Sequence, residues 1–150
     1  MARVVSGGQT GVDRAALDAA LELGIPCGGW CPRGRRAEGG PVPDAYPLRE
    51  TPTAAYPERT AWNVRDSDGT LVLTRGAPRG GTALTLALAR RAGKPVLVAD
   101  PGQDPPAEVA AWLAREGIRT LNVAGPRESE APGIHDDAVA FLRGLLAERG

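Results

Sequence analysis

The chain of 150 residues holds one histidine, one methionine, two cysteines and few aromatic rings, and its eighteen basic and eighteen acidic residues cancel. Each scarcity closes a class of function. His135 is far along the chain from Cys27 and Cys31, so neither a tetrahedral zinc site nor a histidine-activated nucleophile has the side chains it needs. No metal ligands and no catalytic residues are assigned. Two cysteines this close together in a chain of this length do not make a secreted disulfide framework; they read as reduced, small apolar groups. A formal net charge of zero provides no global positive field for nucleic acid, so an anion site must come from local geometry and its ligand is expected to be small. No apolar stretch approaches the roughly eighteen residues that span a membrane. The N-terminal Met1 runs straight into a strand pattern, and the expectation is a cytoplasmic protein.

What the chain has is glycine, twenty residues of it, placed with a pattern. Val4-Val5-Ser6 reads as a buried strand. Val12, Ala15, Ala16, Ala19, Ala20 and Leu23 then recur at helical spacing until Gly24 stops them. The unit returns: strand Thr70–Leu73, helix Thr82–Ala92, stop Gly93, strand Pro95–Ala99. A helix from about Pro106 to Glu116 ends at Gly117, the strand Thr120–Val123 follows, and a last helix runs from about Ile134 to Glu148, with His135 capping it. Pro57 opens a further helix through Glu58, Arg59, Trp62 and Arg65. Such alternation predicts a three-layer, Rossmann-like α/β fold with a mostly parallel sheet, in one domain spanning residues 1–150. The long Pro-, Gly- and Arg-rich stretch from Pro32 to Pro57 is expected to be an ordered loop folding over the ligand site, anchored by Trp30, Tyr46 and Tyr56.

Two glycine turns sit where a strand gives way to a helix: Ser6-Gly7-Gly8-Gln9-Thr10-Gly11, and Gly80-Gly81-Thr82. Turns of this kind let backbone N–H groups and the positive end of a helix dipole converge on an anion, typically phosphate. Two of them on the carboxyl edge of a parallel sheet suggest one ligand held at two places. Thr10 and Thr82 can donate hydroxyls, although Thr82 could equally be a simple N-cap. Asp13, with Arg14 in the first helical turn, either accepts from a ligand hydroxyl or amine or merely complements the dipole. Arg75, Arg79 or the Arg33-Gly34-Arg35-Arg36 cluster would supply charge-assisted bonds. Trp30 or Trp62 could stack on a ring, or be core. Asn63, Arg65, Asp66 and Asp68 precede the central strand and Asn122, Arg127, Glu128 and Ser129 follow the last one; both runs are either pocket residues or ordinary connections.

Those turns, together with Gly28-Gly29-Trp30-Cys31-Pro32, Gly34-Arg35-Arg36-Ala37-Glu38, the run Glu58 to Gly69 and Leu121-Asn122-Val123-Ala124-Gly125-Pro126-Arg127-Glu128-Ser129, resemble the molybdenum cofactor carrier family over nearly the whole chain. That family is similar to a wider group of Rossmann-like nucleotide-sensing and nucleotide-processing proteins, among them phosphoribohydrolases and a DNA-processing protein. The resemblance implies that a phosphorylated pterin, the molybdenum cofactor, or a related phosphorylated nucleotide is bound and passed on to molybdoenzymes, by a homodimer or homotetramer. Its binding set would be Gly7, Gly8, Gln9, Thr10, Gly11, Asp13, Arg14, Asn63, Asp66, Arg75, Gly80, Gly81 and Thr82. The phosphoribohydrolases carry a glutamate three residues after the threonine of their second turn; here that position is Thr85, so a non-catalytic carrier or store is expected. The alternatives are a nucleotide sensor and a hydrolase in which Asp13 or Asp68 replaces the glutamate.

Overall fold

The apolar faces laid out at helical and strand spacing fold where the sequence puts them. In a computed structural model describing residues 1–147, β1 (Arg3–Val5) leads into α1 (Val12–Leu23), which buries Val12, Ala15, Ala16, Leu17, Ala19 and Ala20 and ends at Gly24 with φ 70° and ψ 24°. That left-handed conformation suits glycine because it lacks a Cβ. After it come α2 (Tyr56–Arg65), β5 (Gly69–Leu73), α3 (Gly80–Arg91), β6 (Val96–Ala99), α4 (Pro106–Glu116), β7 (Thr120–Ala124) and α5 (Ile134–Ala147). Glu148, expected at the end of the last helix, lies outside the described residues.

Three two-residue strands precede α2, namely β2 (Cys27–Gly28), β3 (Trp30–Cys31) and β4 (Arg49–Glu50). They are too short to carry a period, so the sequence does not announce them. The main sheet has the order β2-β1-β7-β5-β6 with every pair parallel, Val4 opposite Leu121 and Leu71 opposite both Val123 and Leu97. Helices α1, α4 and α5 pack together on one face and α2 with α3 on the other, giving the three layers. The main core is continuous from Val4, Leu71, Leu73, Leu121 and Val123 through Trp112 and Leu113 to Phe141, Leu142 and Leu145.

Numbered from β5 onward as if the two chain ends were joined, the order becomes 2-1-3-4-5, the doubly wound arrangement. Its topological switch point, where ligands bind in open α/β sheets, falls between β5 and β7. The loop from Pro32 to Pro57 is ordered. Arg35 donates to the carbonyls of Val42, Pro43, Tyr46 and Leu48, β3 pairs with β4, and Leu17, Cys31, Val42 and Leu48 make a second, smaller core.

Candidate functional site

A cleft of about 320 Å³ opens at the carboxyl edge of the sheet around the switch point. Three segments build it. After β1, Gly7, Gln9 and Asp13 form one wall; after β5, the first two turns of α3 supply Gly80, Gly81, Thr82 and Thr85; the end of β7 brings Asn122 to Ala124, followed by Gly125, Arg127 and Glu130. Helix α2 closes the fourth side with Tyr56, Arg59, Thr60 and Asn63. Gly125 makes this convergence possible, because a Cβ there would collide with the Leu73 carbonyl and the Val12 side chain. Gly7 has the same role against Arg59, whose guanidinium fills the space a side chain would take.

The buried group that sequence reasoning left out is Arg59. It is 9 % exposed, and its Nη1 donates to the Gly7 carbonyl at 2.9 Å and pairs with Asp13 Oδ2 at 3.3 Å. Its Nε is buried without an acceptor, an uncommon state for an N–H donor. Asp13, 6 % exposed, also accepts from the Gln9 N–H at 3.2 Å. Burial pushes its carboxyl above the ordinary aspartate range, against the opposing pull of Arg59 and the Gln9 N–H. The clue in the sequence would have been the helical spacing of the buried face of α2, which is Arg59, Thr60, Asn63 and Val64. Three of these four are polar, so hydropathy alone reads the face as solvated.

At α3 the helix begins at Gly80, two residues before Thr82, so Arg79 holds the N-cap position and no side chain caps the helix. Thr82 is therefore a first-turn residue, not the cap. The N–H groups of Gly80 and Gly81 have no acceptor within the helix, as at any helix start. The Thr85 hydroxyl turns back to the Gly81 carbonyl at 3.0 Å, so this position brings no carboxylate to the cleft.

Of the residues expected to bind, Gly7, Gln9, Asp13, Asn63, Gly80, Gly81 and Thr82 line the cleft; Gly8, Thr10, Gly11, Arg14, Asp66 and Arg75 do not. Each of the latter is held elsewhere. Gly8 lies under Leu48 and Val42, and Arg14 Nε bonds the Gly8 carbonyl. Gly11 is pressed against the backbone of Pro126 to Glu128, and Thr10 donates to Glu38 at 2.6 Å while accepting from the Glu128 N–H. Asp66 is bound by Arg65 and by the Trp30 indole at 2.8 Å, and Arg75 pairs with Asp137 at 2.8 Å on α5. Even Asn63 is partly occupied, clamping the Trp30 backbone through both amide atoms at 2.8 and 3.0 Å.

The supporting groups are also redistributed. Arg35 is consumed by its own loop, Arg36 bonds the Ala54 carbonyl, and Arg79 is outside the lining, so the cationic side chains at the cleft are Arg59 and Arg127. Trp30 and Trp62 pack edge to face with centroids 4.7 Å apart, and neither reaches the cleft. Its ring is Tyr56, flanked by the guanidiniums of Arg36, Arg59 and Arg127 at 4.4, 5.3 and 5.8 Å. The loop after β3 meets the glycine turn at its rim, where Glu38 accepts from Thr10 and Ser129 and gives its N–H to Gln9 Oε1 at 2.8 Å. Glu38 is drawn below the ordinary glutamate range by those hydroxyls.

Asp68 sits at the opposite, amino edge of the sheet, accepting from the N–H groups of Arg119 and Thr120. It cannot serve the cleft. Nor does His135 cap the last helix. Glu128 does so, accepting from the Gly133 and His135 N–H groups at 2.6 and 3.1 Å, while the His135 ring bonds Asp18 on α1 at 2.8 Å. Cys31 is buried in the smaller core and Cys27 is half-buried; burial raises both thiols. Among the described residues there is no cluster of three His, Cys, Asp or Glu side chains, and no helix is long and apolar enough to cross a membrane.

Comparison with known proteins agrees with this architecture. Residues 4–146 match the model of the circularly permutated YpsA SLOG family. A crystal structure from Syntrophus aciditrophicus named "Putative molybdenum carrier protein" is similar at 45% identity and a TM-score of 0.93, over 97% of this chain and 95% of that one. A search of curated proteins gives no match. With the permuted strand order and a match over almost its whole length, the chain belongs to the circularly permutated YpsA SLOG family.

Proposed function

We propose that the cleft binds a phosphorylated pterin, the molybdenum cofactor, and that the protein stores it or hands it on without acting on it chemically. The observation that carries this reading is one cleft lined by the uncapped start of α3 and by two arginines, Arg59 and Arg127. An anion would supply acceptor oxygens for the Gly80 and Gly81 N–H groups and a further negative charge beside the two guanidiniums. Tyr56, between its arginines, offers a flat face for a ring system. A volume of about 320 Å³ is at the small end of ligand pockets, suited to a ligand of mononucleotide size. The name of the Syntrophus structure points to molybdenum, and the chain's own donors fit the phosphate and ring of such a cofactor.

In this reading the phosphate would be held by α3 and by Arg59 and Arg127, the ring would lie along Tyr56, and Asn122 would face it from β7. When bound, the cofactor would bring its own sulfur ligands for the metal. The absence of a carboxylate at Thr85, the commitment of Asp13 to Arg59 and the distance of Asp68 from the cleft favour binding over hydrolysis. A nucleoside monophosphate is the second reading, since the same phosphate donors and the same ring would serve it. Native mass spectrometry of protein purified from a host that makes the cofactor separates the two. A retained mass equal to a molybdopterin is the expected result; a retained purine nucleotide would establish the second reading, and loss of the cofactor under conditions that preserve the fold would overturn the first.

A further inference from the structure

The start of α3 has a neighbour of the wrong sign. Glu130, on the turn after β7, points one carboxylate oxygen to within 3.9 Å of where a Cβ on Gly80 would lie. Its other oxygen pairs with Arg127 Nε at 3.3 Å and accepts the Arg127 N–H at 3.3 Å. Both side chains line the cleft with Tyr56 and Arg59. A carboxylate near a helix N-terminus is held there by the dipole. Here it also occupies one of the two arginines that an incoming anion would use.

We infer that Glu130 competes with the ligand's phosphate for Arg127 beside the start of α3, and yields the arginine on binding. This rests on the proposed phosphate-binding function and adds a residue that sets affinity and ligand charge. On entry Arg127 exchanges a carboxylate for a phosphate, beside the start of α3 and the Arg59 guanidinium. No covalent bond changes. A ligand with no anionic group cannot displace the carboxylate, so the device discriminates against dephosphorylated analogues. Arg59, nine-tenths buried, lines the same cleft, so a second guanidinium flanks the position, which is more than a helix end.

The test uses the full chain and two probes, adenosine monophosphate and inorganic phosphate, titrated calorimetrically against the wild type and Glu130→Gln. Because Glu130 is exposed, the variant should fold, and circular dichroism checks this. Removing the competing charge is expected to tighten phosphate binding about five- to tenfold. Truncating Arg127 to Ala should cost more affinity in the Glu130→Gln background than in the wild type, where Glu130 already occupies the arginine. Equal affinity in wild type and Glu130→Gln overturns the inference while leaving the site intact. Weaker binding by Glu130→Gln also overturns it, by showing that the carboxylate accepts from the ligand. Binding of neither probe by either protein overturns the phosphate site itself.

Discussion

Arg59→Met isolates the one buried ion pair on which the cleft wall depends. Methionine keeps most of the length and apolar contact but removes the donor to the Gly7 carbonyl and the charge opposite Asp13, 2.9 and 3.3 Å away. Breaking a buried pair from one side leaves the other charge uncompensated, and such losses run to about 3 kcal/mol or more. In a domain of this size each kcal/mol shifts the melting temperature by about 2–4 °C, so a loss of about 6–12 °C is expected at pH 7.5. The sign of the pH dependence follows from Asp13, which burial already raises and Arg59 pulls down. Without Arg59 the folded protein holds that proton to a higher pH than the unfolded chain does. Stability of the variant then falls as pH rises through the window above the unfolded aspartate pKa, and its deficit against wild type shrinks on acidification. Thermal unfolding followed by circular dichroism from pH 5 to 8 reads both effects. A variant melting within about 2 °C of wild type at pH 7.5, or a deficit that does not change with pH, would refute the view that this pair holds the wall.

Three other substitutions read different links. Gly81→Asp meets open space at its Cβ and places an acid in the first turn of α3, so it should leave the melting temperature unchanged or slightly raised while abolishing phosphate affinity; binding at wild-type strength in calorimetry would count against the site. Lys94→Met removes an ammonium that donates to the carbonyls of Val64, Arg65 and Ser67 at 3.1, 2.6 and 2.7 Å at the end of α2, and urea unfolding should show a loss of about 1–2 kcal/mol. His135, despite partial burial that lowers it, is raised overall by Asp18 and Asp136. Its stabilising contribution is complete below the unfolded histidine pKa and is lost as pH rises through the folded one, so His135→Gln should flatten the decline in melting temperature between pH 6 and 8.

Helices α1 and α4 were the most legible, because each follows a helical period and ends at a glycine in the left-handed region, Gly24 and Gly117. The strand order was not, since nothing local to β7 says that it lies between β1 and β5; long-range pairing decides that. At the site, the glycine turns lie at the carboxyl edge of the sheet as expected, while several of their neighbours do not line the cleft. Thr10, Asp66 and Arg75 look available in sequence, and each is taken by a partner remote in the chain, Glu38 for Thr10, Trp30 for Asp66 and Asp137 for Arg75, while Arg14 folds back on the Gly8 carbonyl. Arg59 shows the converse. One of two arginines in a polar helix, it carries no mark of burial, and only the packing of α2 against the Gly7 turn makes it a charged group of the cleft wall. Trp30 and Trp62, open in sequence to stacking on a ring or to the core, pack edge to face on each other and leave Tyr56 at the cleft.

The central claim is that the edge of the sheet between β5 and β7 receives a phosphate. A backbone amide nuclear magnetic resonance titration of the full chain with adenosine monophosphate tests it most directly. Shifts concentrated at Gly7, Gln9, Gly80, Gly81, Thr82 and Gly125, with Asp68 and Cys27 unmoved, are the expected result. Shifts confined to the amino edge of the sheet, or none at millimolar ligand, would contradict it.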